Sequence, residues 1–131
     1  MPTALTSAQT LRALGLGAAL WLLAALILRT IGPMGAMEGI ARLWLFLAIV
    51  PGTVPFVLLF RRVVGLGPGQ LTTGFALGTA MAMVLDGLAL SWAPGLYGDS
   101  LALVAGSGAT ILWGAGVGIF LAHAIDRRRA G

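Results

Sequence analysis

The chain has no cysteine and no lysine, and it carries one histidine, one tyrosine and four acidic residues in 131 positions. Without cysteine there are no disulfides and no thiolate metal sites. A single histidine, His123, rules out a bis-histidine haem within one chain and leaves no multi-histidine metal site. The glycine cluster GLGPG is followed by no lysine or strand, as a phosphate loop would require. There is no HExxH motif, and Ser91 and Ser107 have no evident base at matching depth. These gaps argue against an enzyme, a metal site or a bound cofactor. Charge is scarce as well, at 9% of residues, against about 25% in a soluble domain.

What fills the chain instead is apolar sequence, at 59% of residues. It falls into four stretches, at about 13–31, 43–60, 71–93 and 101–125. A bilayer-spanning helix needs about 20 mostly apolar residues, and each stretch is near that length. The expected fold is all-α: a polytopic membrane protein whose four transmembrane helices form an antiparallel bundle. Four spans and short loops use up the length, so 1–131 reads as a single transmembrane domain. The first stretch is preceded by Arg12 alone and is not followed by a clean small-residue cleavage site, so it reads as a retained helix rather than a signal peptide.

All eight basic residues are arginines, and their distribution sets an expected orientation. Arg12, Arg61, Arg62, Arg127, Arg128 and Arg129 fall on one side of the four spans, and Arg29 and Arg42 on the other. Cytoplasmic loops carry the excess of basic residues, so both termini are expected in the cytoplasm of a bacterial cell, with the chain in its inner membrane. Trp44 and Trp92 lie near the outer ends of their spans, where indoles commonly sit. The net charge of +4 is then a topology signal and calls for no nucleic-acid partner. His123, next to this cytoplasmic end, reads as an interfacial polar residue.

Three features stand out inside the spans. Gly74, Gly78 and Ala82 in the third, and Gly106, Thr110, Gly114, Gly118 and Ala122 in the fourth, recur at four-residue spacing. Small residues at this spacing let membrane helices approach closely, so spans three and four are expected to meet there, or a homodimer to form there. Pro51 and Pro55 in IVPGTVP remove backbone donors and are expected to kink or loosen the second span.

The third feature is Asp86, well inside span three. A carboxylate at membrane depth costs at least about 2.5–3.5 kcal/mol, so it must face the bundle. On a helical wheel Thr72, Thr79, Ala82, Ala89 and Ala93 share its face. Leu77, Met81, Val84 and Leu88 lie opposite, and Phe75 is an apolar residue on the Asp86 side. The expected counter-charge is Arg29, with Arg42 as the alternative. Tyr97 and Trp113 read as packing or interface residues.

The runs LWLLAALILRTIG, VPGTVPFVLLFRR, MVLDGLALSWAPGLYG and ILWGAGVGIFLA resemble a family of small bacterial four-helix integral membrane proteins defined by a domain of unknown function. The resemblance covers about 18–121, and Arg29 and Leu85-Asp86-Gly87 are its most specific elements. It departs in the glycine-rich fourth span and in the outer loop near 33–37, which lacks aromatics. It implies the four-helix architecture and an emphasis on Arg29 and Asp86, and no reaction. Two functions fit the residues. One is a non-enzymatic accessory or scaffold protein packing against itself or a larger membrane complex. The other is a small dimeric transporter or channel in which Asp86 handles protons or cations.

Overall fold

The computed structural model describes residues 4–130, with side chains for 4–128, so the arginine expected as a topology signal at 129 lies outside the described side chains. The fold is all-α, with four long helices: α1 (Ser7–Ile31), α2 (Gly39–Val64), α3 (Leu71–Trp92) and α4 (Leu101–Ala130). Single 3-10 turns, Gly32–Met34 and Pro94–Leu96, lie in the α1–α2 and α3–α4 connections. All four helices are long and apolar enough to cross a membrane.

Hydrogen bonds between helix ends fix the up-and-down order. At one end, near the start of α1, Gln9 Nε2 donates to the Gly65 carbonyl and to Gln70 Oε1, and Arg12 Nη1 donates to the Val64 carbonyl. The starts of α1 and α3 and the end of α2 therefore lie together. Asp126 brings the end of α4 to the same place: its carboxylate accepts from the Gly69 and Thr72 N–H groups and from the Thr72 hydroxyl, at 3.0–3.2 Å. A helix N-terminus leaves backbone donors without intrahelical partners, and here a neighbouring helix supplies the cap. At the opposite end, Gly32 at the close of α1 packs against Leu103 near the start of α4.

Local sequence explains the boundaries. Thr6 and Gln9 form a capping box, each side chain bonding the other's backbone N–H, so α1 starts well before its apolar stretch. α2 ends at Gly65, whose φ of +77° places it in the left-handed region, with its N–H returning to the Arg61 carbonyl. Glycine adopts that conformation without a Cβ penalty. Pro51 and Pro55 lie inside α2, and the helix runs through both without interruption. Whatever kink or loosening the two prolines bring leaves the helix uninterrupted, since membrane helices tolerate proline when local contacts take up the freed groups.

Spans three and four do meet, but other pairs pack more extensively. α1 packs chiefly on α3, α2 on α4, and α3 also on α4, while α1 and α2 touch little. α1 and α3 cross closely at Gly17 and Gly78: a Cβ at Gly17 would overlap the Gly78 carbonyl. Gly78 also faces Phe60 and the Ala13 carbonyl, and Gly74 faces Leu66. The nearest neighbours of both thus lie outside α4, in α1, α2 and the connection after it. Of the fourth-span glycines, Gly118 does meet α3, where a Cβ would stand 2.7 Å from the Phe75 ring. Gly114 comes near Ile49 of α2, and Gly106 near Met37 and Arg42. Four-residue spacing coincides with close approaches at Gly74, Gly78 and Gly118 but not at Gly114, and a wheel does not say which neighbour approaches.

Candidate functional site: a membrane carboxylate beside a cavity

Asp86 lies six residues before Trp92, the last residue of α3, so at 1.5 Å per residue it is about 9 Å inside the end of that helix. It is 8% exposed. Of the four residues expected on the outward face of α3, Val84 and Leu88 are exposed, Met81 is half-buried and Leu77 packs against the core, while Phe75 turns inward and packs edge-on against Phe60, ring centroids 5.1 Å apart.

The partner of Asp86 is Tyr97. Its hydroxyl donates to Asp86 Oδ1 at 2.5 Å, and the Trp21 indole N–H donates to the same phenol oxygen at 3.1 Å. The chain reaches this arrangement by folding back after α3. Pro94 fits the first residue of a 3-10 turn, the Tyr97 N–H closes that turn on the Pro94 carbonyl, and the side chain is carried wholly into the bundle. Burial first, and then the hydrogen bond to Asp86, push the Tyr97 phenol above its ordinary range. It therefore keeps its proton and stays a donor.

The expected Asp86–Arg29 pair does not form. Arg29 bonds instead to the Gly95 carbonyl and to Asp99, with Nη2 to Oδ1 at 3.0 Å. The reason is reach and solvation. Arg29 sits in the last turn of α1, where the 94–99 connection offers it a carbonyl and an exposed carboxylate, so its guanidinium stays hydrated. The alternative, Arg42, is occupied as well, its Nε donating to the Met37 carbonyl at 2.9 Å. Arg29–Asp99 is the one ion pair among the described residues.

Asp86 also lines a cavity of about 300 Å³ bounded by all four helices. Its walls include Trp21, Phe56, Phe60 and Phe75, with Ala82 beside the carboxylate's own helix face. Polar groups are few, and two are already engaged: the Thr53 hydroxyl donates to the Ile49 carbonyl and the Thr110 hydroxyl to the Gly106 carbonyl. Among the described lining residues Asp86 is the only ionisable one.

Sequence reasoning picked out Asp86 and missed Tyr97, Trp21 and Asp126. Tyr97 had a usable signal, since it is the chain's one tyrosine and follows Asp86 by eleven residues across a Pro-Gly turn. Arg61, Arg62, Arg127 and Arg128 fall at the bundle end that also holds the start of α1. Among the described residues no group of three or more histidine or acidic side chains could hold a metal. No family model, curated protein or solved structure matches this chain.

Proposed function

We propose that this chain is a small multi-pass protein of the bacterial cytoplasmic membrane, with both termini inside, that moves protons or a cationic solute, Asp86 being the group that carries or exchanges the charge. The observation behind this reading is the combination at one place: a carboxylate about 9 Å inside a spanning helix, no arginine on it, and an open cavity beside it. Ionisable groups at membrane depth are expensive and usually functional. A register-fixing ion pair would have offered a purely structural account, and Arg29 is engaged elsewhere. The orientation rests on the arginine distribution, and the resemblance to small bacterial four-helix proteins is consistent with the architecture.

The test is flux. The purified protein is reconstituted into liposomes holding a pH-sensitive dye, and a potassium diffusion potential is applied. The expected result is acidification that depends on the protein and is lost in a folded Asp86→Asn variant. A flux that Asp86→Asn leaves intact contradicts the reading, as does no flux of protons or of the cation described below.

A further inference from the structure

We infer that the cavity is a binding site for a lipophilic organic monocation, which enters sideways from the bilayer between α1 and α2 and takes Asp86 as its counter-charge. The inference rests on the reading of the cavity as a solute site, and adds the chemical class and the route.

Charge comes first. Asp86 is the sole ionisable lining residue among those described, and Tyr97 engages one of its two oxygens. A carboxylate has about four lone-pair positions, so acceptor capacity remains for a cation, and a cation offsets the penalty of burying the charge. An anion would be repelled. The walls narrow the class further. Trp21, Phe56, Phe60 and Phe75 offer ring faces and edges, and aromatic rings attract desolvated cations. A metal ion stripped of its water would need several oxygen ligands, about six for the hard divalent cations, whereas the lining side chains supply only the Asp86 carboxylate and the hydroxyls of Thr53, Thr79 and Thr110. A sugar-like solute would find too few donors and acceptors for the same reason. A poorly hydrated organic cation needs only the carboxylate and the apolar wall. The volume of about 300 Å³ is at the small end for a small-molecule site, roughly 300–1,000 Å³.

The route follows from packing. Leu23 and Ile27 of α1 and Phe56 of α2 line the cavity and are also exposed on the bundle's flank. This is the side where α1 and α2 make little contact. In a bilayer that flank faces acyl chains, where a lipophilic cation concentrates.

The test uses the whole chain in lipid nanodiscs, dialysed to equilibrium against empty nanodiscs. The probes are benzyltrimethylammonium and its uncharged carbon isostere, neopentylbenzene. The expected result is protein-dependent retention of the cation that falls at least tenfold in Asp86→Asn, while the isostere is retained equally by both proteins. Ala82→Leu narrows the cavity and keeps the carboxylate, so it too should weaken the cation, and it gives the reading if Asp86→Asn misfolds. Equal retention of cation and isostere by the native protein overturns the inference, as does full cation affinity in a folded Asp86→Asn or Ala82→Leu. The two proposals fail separately. Cation binding without flux keeps this site and removes the transport reading. Proton flux without cation binding keeps transport and removes this site.

Discussion

Tyr97 donates a hydrogen bond to Asp86 at 2.5 Å from a turn outside the spanning helices, so the connection between α3 and α4 is tied to a carboxylate inside the bundle. Trp21 joins through the same phenol oxygen and brings in α1. The link has a direct consequence for Tyr97→Phe. That change leaves the Asp86 oxygen and the Trp21 N–H without their partner, and stranding buried polar groups costs about 1–3 kcal/mol. We expect a clear drop in the melting temperature in mild detergent, against little change for Trp92→Phe at an exposed site.

The same tyrosine gives a pH prediction. A phenol whose folded pKa is raised holds its proton in the native state after the unfolded chain has begun to lose it. Stability from this group is complete below about pH 10, the ordinary tyrosine value, and declines as pH rises toward the higher folded value. Because Tyr97 is the only tyrosine, tyrosinate absorbance reports it alone. The folded protein should give no tyrosinate signal near pH 10, and the denatured protein should give the ordinary titration.

The α1–α3 crossing predicts a contrast among glycines. Gly17→Ala places a methyl against the Gly78 backbone, which cannot swing aside as a side chain does. Overpacking of this kind costs about 1–3 kcal/mol, so its melting temperature should fall clearly. Gly114→Ala meets only Ile49 at 3.9 Å, an ordinary contact, and should melt close to the native protein. Equal losses for both would argue for a seam along α4 instead.

Asp126 predicts a local effect. Asp126→Ala removes the acceptor for two backbone N–H groups at the start of α3, and losing a helix cap costs about 0.5–2 kcal/mol. Hydrogen exchange should accelerate at Gly69 and Thr72 and stay unchanged at the far end of α3.

The four spans were legible in the sequence because bilayer length and hydropathy decide them. Their ends were less so. α1 begins at Ser7 rather than near 13, and α4 continues to Ala130 rather than 125, since hydropathy marks the apolar part of a helix and not its hydrogen-bonded extent. The Thr6–Gln9 capping box was present in the sequence and gives the true start. Asp86 was identifiable from desolvation alone. Its partner was not, because ranking by charge favours Arg29, whereas geometry favours a neutral donor carried in by a turn. Gly17 follows Ala13 at the same four-residue spacing but in a shorter run than those of spans three and four; the Gly78 backbone opposite is what gives it meaning.

A pair of double-mutant cycles measures the identity of Asp86's partner most directly. Unfolding free energies are determined for Asp86→Ala with Tyr97→Phe, and for Asp86→Ala with Arg29→Gln. Contacting residues couple by about 0.5–3 kcal/mol, and residues without shared partners add. The Asp86–Tyr97 network predicts coupling in the first cycle and additivity within about 0.5 kcal/mol in the second. Additivity in the first together with coupling in the second would restore Arg29 as the counter-charge and contradict the site described above.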